Sequence, residues 1–207
     1  PDESTGEATK PEESTAGTTD ADSTAGEETT KEEETTEEET TSGVMDSVPD
    51  VSDEIVGNAN VALRGFVLAN ALKENGTNLY LNDGKTDAVF DSGALEGDGS
   101  FFIDLGTAYT VTAVRLHAAA GMEGLLPTAY EVQLSQDGKN YTTVATEKQA
   151  STADGILTVS FKAGAARYVR VVMTGVPTDA DGVRHYALAE AEVMANITAK
   201  NNIDLYQ

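Results

Sequence analysis

The stretch FFIDLGTAYTVTAVRLHA, residues 101–118, decides the fold class of this chain. It begins with an apolar run that ends at Gly106, and from Tyr109 onward apolar and polar residues alternate. Alternation with a period of two is typical of a half-buried β-strand, because successive side chains point to opposite faces of a sheet. The alternation places Val111 and Val114 on opposite faces of the predicted strand.

The same strand pattern recurs along the chain at short, regular spacing. The predicted strands cover residues 60–69, 101–106, 109–118, 129–135, 140–146, 155–161, 167–173 and 186–195. QDGK contains an Asp-Gly turn, which joins the strands on either side of it as a hairpin. NALKENG (70–76) is a helix-like piece that fits a turn of helix in a loop. Eight short strands without a long helix predict an all-β fold, an eight-stranded antiparallel β-sandwich or jelly roll.

Charge divides the chain into two unlike parts. Residues 1–50 carry 17 Asp or Glu and 2 Lys, and they contain no aromatic residue. Such a segment cannot bury enough apolar surface to offset its ordering entropy, and like charges keep it extended. The sequence therefore predicts a disordered acidic Thr/Glu-rich linker over 1–52 and a β-sandwich domain over 53–195. The polar residues 196–207 are interpreted as a tail or as the start of another linker.

The composition also excludes several classes of protein. The absence of cysteine excludes disulfides, thiolate metal sites and a cysteine nucleophile. A net charge of −23 argues against nucleic acid and anionic lipid surfaces as partners, since both need basic side chains. No apolar run approaches the ~20 residues of a membrane-spanning helix. No catalytic motif stands out, so we expect no enzyme. Because the chain begins with Pro and shows no signal peptide, we expect a piece of a longer protein.

NDGKTDAVFD (82–91) has two interpretations from its residues alone. Asn-Asp-Gly is the chemistry of a tight turn, because Asn and Gly tolerate positive φ. The three aspartates of this stretch are also oxygen ligands of the kind a hard cation prefers. Glu190 and Glu192 lie two residues apart on the last predicted strand, and therefore on the same face of it. A solvated polar turn and a calcium site both remain open.

Six segments follow one another over residues 58–195: NVAL, LNDGKTDAVF, FFIDLGTAYTVTAVRL, LPTAYEVQLSQDGKNYTTVAT, ARYVRVVM and ALAEAEVMA. In this order they resemble the discoidin family, also called the coagulation factor 5/8 type C domain, and its close relative carbohydrate-binding module family 32. The chain departs from the family in having no Trp. Phe90, and either Phe101 or Phe102, stand where relatives have Trp. These positions are mostly core, so Phe keeps an aromatic anchor of smaller buried area.

The resemblance implies a non-catalytic carbohydrate-binding module of a larger secreted or surface-attached bacterial protein, and hence an extracellular location. The implied partners are a glycan or glycoconjugate and other domains of the same parent chain. The alternative is a structural spacer or protein-binding adhesion module that has lost sugar binding. The missing Trp, and the absence of Arg from 117–126, favour this alternative. GMEGLLP (121–127) lacks the basic neighbours of a membrane-inserting loop, so we expect no membrane insertion.

For the metal, the resemblance implies a structural Ca²⁺ held by the Asp-Gly turn and a Glu of the last strand. The resemblance implies that the carboxylate or carbonyl oxygens which bind the ion come from Tyr80, Asp83, Lys85, Asp87, Ala189 and Glu190. Relatives usually have a hydroxyl residue where Ala88 stands, so Asp87 supplies the missing oxygen or the site is weakened. PTDADGVRHYALAE (177–190) does not fit an EF-hand, because Leu188 occupies the position of the bidentate Glu.

For the glycan, the resemblance implies a site on loops at one end of the sandwich. Sugars stack an apolar face on aromatic rings, and their hydroxyls pair with planar polar groups. The predicted ligand-binding residues are Asn78, His117, Arg184, His185 and Tyr186. His117 directly follows a predicted strand, so an ordinary strand-end residue is its alternative interpretation.

Overall fold

The computed structural model describes residues 54–63 and 65–199. The predicted linker over 1–52 and the end of the predicted tail lie outside these residues. The strands are β1 (Ile55–Asn60), β2 (Phe66–Ala69), β3 (Phe90–Asp91), β4 (Gly99–His117), β5 (Ala129–Ser135), β6 (Thr142–Glu147), β7 (Ile156–Gly175), β8 (Ala187–Leu188) and β9 (Glu190–Thr198). Short 3₁₀ turns cover Asn78–Leu81 and Glu123–Leu125. Within the described part of the chain, no helix is long and apolar enough to cross a membrane.

Two long, bent strands organise the antiparallel sheets. The order of the main sheet is β1-β9-β4-β7-β5-β6, with β2 also paired to β4, and β3 and β8 form a separate ladder. The first part of β4 pairs with β2 and with the last part of β7. The second part of β4 pairs with β9 and with the first part of β7. β4 and β7 therefore pass through both layers of a β-sandwich, and the predicted jelly-roll fold class is confirmed.

The bend in β4 has a local cause. The β4–β7 register breaks between Asp104 and Tyr109, and Gly106 in this interval has φ of 79°. Asp104 Oδ1 accepts a hydrogen bond from the Gly106 amide at 2.9 Å. Arg167 donates to both carboxylate oxygens of Asp104, at 2.7 and 2.9 Å, and thereby links the bend to β7. The predicted strands 101–106 and 109–118 are thus two halves of one bent strand.

A β-bulge in the second half of β4 changes which of its side chains face the core, so the predicted assignment of faces is wrong beyond it. The register with β9 shifts between Val111 and Ala113, which pair with the consecutive residues Ala195 and Met194, so Thr112 is the extra residue against that strand. One extra residue reverses the alternation beyond it. Val111 and Val114 are therefore both buried in the core, although strict alternation placed them on opposite faces.

The core lies between the two layers and contains the aromatic positions at which relatives have Trp. Phe90 and Phe101 are buried, whereas Phe102 lies half-buried on the outer face of its sheet. Phe90 packs against Tyr186 with ring centroids 5.6 Å apart. Of the two alternatives for the second anchor, Phe101 is the core residue.

The remaining differences lie near the chain termini of the domain. The predicted strand 60–69 is two strands, because the chain turns between β1 and β2 with Gly65 N donating to Ala62 O at 2.8 Å. The helix-like segment 70–76 is not helical, and the nearby 3₁₀ turn starts at Asn78. β9 continues to Thr198, beyond the predicted domain boundary.

Candidate functional site

An open cleft of about 550 Å³ lies between the loops that follow β2 and β3 and the loop that precedes β8. We call it the loop cleft. Its polar lining residues are Lys73, Glu74, Asp91, Asp179 and His185, with apolar contributions that include Leu72 and Val183. Because these residues come from three separate loops, their convergence depends on the fold.

The short β3–β8 ladder positions the centre of the loop cleft. Phe90 pairs with Leu188 in this ladder, which brings the end of β3 beside the residues that precede β8. His185 Nδ1 lies 2.9 Å from Asp91 Oδ1, across a sequence separation of 94 residues. His185 Nε2 lies 3.2 Å from Asp179 Oδ2. A buried imidazole therefore lies between two carboxylates of the same cleft, bonded to Asp91 and close to Asp179, while its Nε2 makes no hydrogen bond within the described residues.

Both carboxylates are held in their ionised form. Burial acts to raise the pKa of Asp91, but hydrogen bonds with His185, the Gly93 amide and Lys73 outweigh it and leave that pKa below its usual range. Backbone amides of Val183 and Asp181 lower the pKa of Asp179, and the same hydrogen bonds fold the loop around it. This polar loop belongs to the segment 177–190, which does not fit an EF-hand.

The loop cleft is anionic at neutral pH. It contains the carboxylates Glu74, Asp91 and Asp179 against the single ammonium group of Lys73. Lys73 Nζ is paired with Asp91 Oδ2 at 2.9 Å. The three carboxylates outnumber the ammonium group, and this excess of negative charge favours a ligand with hydroxyl or ammonium donors.

The structure places the predicted ligand-binding residues in different environments. His185 lies in the loop cleft. Arg184, its neighbour, donates from Nη1 to Gly97 O at 2.6 Å and so supports the loop after β3. The prediction for Tyr186 is corrected, because its side chain is fully buried in the core and cannot contact a ligand. Asn78 does not line the loop cleft, and its Oδ1 accepts the Ala69 amide at 3.1 Å; its part in ligand binding stays a prediction.

His117 lies in a different cleft from His185. This second cleft, of about 430 Å³, is on the outer face of the β9-β4-β7 layer, and we call it the sheet-face cleft. Its polar residues are Arg115, His117, Ser151, Thr158 and Glu192. The two clefts share no lining residue, so the predicted ligand set does not form one site.

The sequence did not single out Lys73, Glu74 and Asp179 as ligand residues. Asp91 was one of three aspartates considered as cation ligands, and the structure instead pairs it with His185 and Lys73. The loops around these residues have no periodic pattern. Their convergence depends on pairings between residues far apart in sequence, which no local signal reports.

The predicted metal residues lie around the junction of the Asp-Gly turn and β9. Gly84 N donates to Glu190 Oε2 at 3.1 Å, which joins the turn to the strand. Glu190 is 3% exposed, and its Oε1 is buried without a hydrogen-bond partner. Burial raises the pKa of Glu190 to about 7, and the nearby charges of Asp83 and Glu192 act in the same direction. An orphaned, buried carboxylate oxygen beside a second carboxylate fits the chemistry of a bound cation.

The structure does not bring the other predicted metal ligands together around Glu190 in the same way. Asp87 is exposed, Tyr80 is 38% exposed, and the Ala189 amide donates to His117 O at 2.9 Å. Lys85 donates its amide to Asp83 Oδ1 at 2.9 Å within the turn. Among the residues that the structure describes, no three His, Cys, Asp or Glu side chains are grouped to hold a metal ion. Backbone carbonyls would have to complete the ligand set.

The described domain is a bent two-layer jelly roll with one cleft formed by its loops and another on its outer sheet face. Residues 80–171 match the family model described as a NedA-like, galactose-binding domain. No curated protein matches the chain at a significant level.

Solved structures are similar to this chain over a longer part of it than the family model. Chitosan-binding module 1 of a chitosanase/glucanase from Paenibacillus sp. IK-5 is 29% identical, with 65% of this chain and 98% of that chain covered and a TM-score of 0.55. Module 2 of the same enzyme, solved with chitotriose, is 27% identical, with 65% and 98% covered and a TM-score of 0.55. The family 32 module of NanJ from C. perfringens, solved with galactose, is 16% identical, with 67% and 99% covered and a TM-score of 0.55.

The β-sandwich of this chain therefore has the fold of carbohydrate-binding modules, and its match to a galactose-binding domain model over residues 80–171 agrees with the resemblance to the discoidin family that its sequence segments indicated. The related folds are carbohydrate-binding modules, and their ligands include galactose and other glycans.

Proposed function

We propose that this domain is a non-catalytic carbohydrate-binding module that holds a glycan in the loop cleft. The observation that carries the proposal is the buried His185 imidazole between Asp91 and Asp179, within an open cleft. Ionised carboxylates accept hydrogen bonds from sugar hydroxyls, and a fixed imidazole keeps them in place. Modules of the same fold that bind saccharides support this function.

The charge of the loop cleft favours a glycan that contains amino sugars. A protonated amine donates to carboxylates through charge-assisted hydrogen bonds, which are stronger than neutral ones. The excess of carboxylates over Lys73 supports this ligand class. The chitosan-binding modules, at 27–29% identity, support it independently.

Calorimetric titration of the full chain with chitotriose tests this function. Glu74 is exposed and lines the loop cleft, so Glu74→Gln removes a charge with little effect on the fold. We expect Glu74→Gln to weaken chitotriose binding about threefold to tenfold, since it removes one charge-assisted contact. Glu147→Gln on β6, outside both clefts, is the matched control and leaves binding unchanged.

Absence of chitotriose binding, together with no binding on an array of neutral and amino-sugar glycans, would refute the carbohydrate function. The alternative, a spacer or protein-binding adhesion module, is favoured by one observation: among the described residues that line the loop cleft there is no Phe, Tyr or Trp. Such a module would bind none of these glycans. We infer further that the domain works outside the cell within a larger bacterial protein, as surface-attached and secreted carbohydrate-binding modules do.

We also propose a structural Ca²⁺ ion at the Asp83–Glu190 junction. The orphaned Glu190 oxygen and the adjacent Asp83 carboxylate would hold it, with the carbonyls of Tyr80 and Lys85 beside them. When bound, the ion would neutralise the two carboxylates and link the Asp-Gly turn to β9. Ala88 offers no hydroxyl oxygen, and the exposed Asp87 would have to move inward to replace it.

Thermal melting in Ca²⁺ and in chelator tests the ion. A ligand that binds only the folded state raises the melting midpoint in proportion to the logarithm of its concentration. We expect this rise in the unmodified chain and its loss in Asp83→Asn. Asp154→Asn, in a loop far from the junction in sequence, retains the rise. Equal midpoints in Ca²⁺ and chelator for the unmodified chain would overturn the calcium proposal without affecting the glycan proposal.

A further inference from the structure

The sheet-face cleft contains a cluster of charged side chains that the proposed function does not use. Arg115 pairs with Glu192 on β9 and Thr158 on β7 in the sheet register. His117 lies two residues further along β4, in register with Ile156 of β7. These side chains point outward, because the residues that alternate with them on β9 and β4 are buried in the core.

The hydrogen bonding of this cluster is incomplete. Glu192 Oε2 accepts a long hydrogen bond of 3.4 Å from Arg115 Nη1 and lies 3.3 Å from His117 Nε2 without a hydrogen bond to it. Charge-assisted bonds of this kind are usually about 2.7–2.9 Å long. His117 Nε2 is buried and has no hydrogen-bond partner within the described residues. A buried polar atom without a partner is unfavourable, and a ligand that bonds to it recovers that loss.

One wall of the cleft is formed by the segment that precedes β7. The segment before β7 folds back beside the cluster, with Ala153 bridged to Ile156, and both residues line the cleft. Ser151 and Thr158 add hydroxyl groups. Arg115 is 44% exposed, whereas His117 is 18% exposed, so Arg115 stands at the open side and His117 lies deeper.

We propose that the sheet-face cleft is a second saccharide-binding site, separate from the loop cleft, for a neutral sugar with adjacent hydroxyls. A hydroxyl group can donate to Glu192 and accept from Arg115 or His117, so a pair of them completes the loose network. The charges of Arg115 and Glu192 cancel, which disfavours both anionic and cationic sugars. Ala153 and Ile156 provide apolar contact for the carbon face of the ring. This inference rests on the proposed function only in taking saccharides as the ligand class.

The chain has two histidines, one in each cleft, and this makes the two sites separately observable. The experiment is NMR of the imidazole signals of the full chain, titrated with galactose and with chitotriose. His117→Gln and His185→Gln assign the two sets of signals. We expect galactose to shift the His117 signals in a saturable way and chitotriose to shift those of His185.

Variants of the sheet-face cleft complete the test. Arg115→Gln and Glu192→Gln should each weaken the galactose response of His117 by at least about tenfold, the effect of losing a hydrogen bond to a charged group. Both should leave the chitotriose response of His185 intact. Lys162→Gln, an equal change of charge at an exposed position of β7, is the control and changes neither response.

The outcomes separate the two proposals. If saccharides shift only the His185 signals, the chain has one saccharide site and the inference fails while the proposed function stands. If galactose shifts His117 but neither Arg115→Gln nor Glu192→Gln alters the response, the assigned contacts are wrong. If neither saccharide shifts either histidine, both proposals are overturned for these ligands.

Discussion

At the scale of single residues, Gly99 packs closely against Tyr186, the residue that follows His185 of the loop cleft. A Cβ atom at this position would lie 2.5 Å from Cε1 of Tyr186, whose ring is fully buried and cannot move aside. Overpacking of this kind typically costs about 1–3 kcal/mol. We therefore expect Gly99→Ala to lower the free energy of unfolding by that amount in urea denaturation.

Gly97 provides a matched control for this prediction. Nothing lies within 4 Å of a Cβ atom built on Gly97, only two residues away. Gly97→Ala should therefore leave the unfolding midpoint nearly unchanged. Equal destabilisation by the two substitutions would show that backbone freedom, rather than contact with Tyr186, requires glycine here.

Glu190 gives the metal-free domain a distinct dependence of stability on pH. Its folded pKa of about 7 lies above the ordinary value of 4.5, so the folded state binds the proton more tightly than the unfolded state. The stability contributed by this proton is complete below the unfolded pKa and is lost as pH rises through the folded pKa. In chelator, we expect Glu190 to lower the stability of the chain between about pH 5 and pH 7.

Comparison with Glu190→Gln isolates this contribution. The amide cannot titrate, so the difference in unfolding free energy between the variant and the unmodified chain should grow in favour of the variant from pH 5 to pH 8. Other titrating groups contribute equally to both proteins. A pH-independent difference would mean that Glu190 is ionised throughout and is stabilised by its surroundings.

At the scale of elements, the edge strand β2 depends on a side chain outside any strand. Asn78 Oδ1 accepts the Ala69 amide, which occupies a backbone donor at the end of β2. Loss of such a bond costs about 1 kcal/mol. We expect Asn78→Ala to destabilise the domain by this amount and to leave chitotriose affinity unchanged, whereas Asn78→Asp, which keeps an acceptor oxygen, should be milder. A loss of affinity without a loss of stability would place Asn78 among the ligand-binding residues.

Among the elements, the strands themselves were the most predictable part of the fold. β5 was predicted with its observed bounds, Ala129–Ser135, because its alternation is uninterrupted and its hairpin turn is explicit. β3 was not predicted, since two residues are too few to show a period. The bulge at Thr112 was not predicted either, because an extra residue becomes visible only against the neighbouring strands.

At the scale of the whole molecule, charge should make binding at the two clefts respond differently to salt. The chain carries a net charge of −23, and the loop cleft is anionic. The attraction of a cationic saccharide to it is screened over about 10 Å at 0.1 M salt. We expect chitotriose affinity to fall severalfold from about 50 mM to about 500 mM NaCl, and galactose affinity to stay constant. Parallel titrations measure both, and salt-independent chitotriose binding would contradict a charge-selective loop cleft.

The sequence by itself determined the antiparallel jelly roll, and its resemblance to a known family indicated Phe90 as a core residue and the approach of the Asp-Gly turn to the last strand. Alternation and turn chemistry are local properties, and the order of the segments indicated the family. Only the tertiary structure decided which polar side chains meet. It paired His185 with Asp91 and Asp179 in one cleft, placed His117 with Arg115 and Glu192 in another, and buried Tyr186. The physical reason is that these contacts depend on strand register, a bulge and a bend, which are set by pairing between residues far apart in the chain.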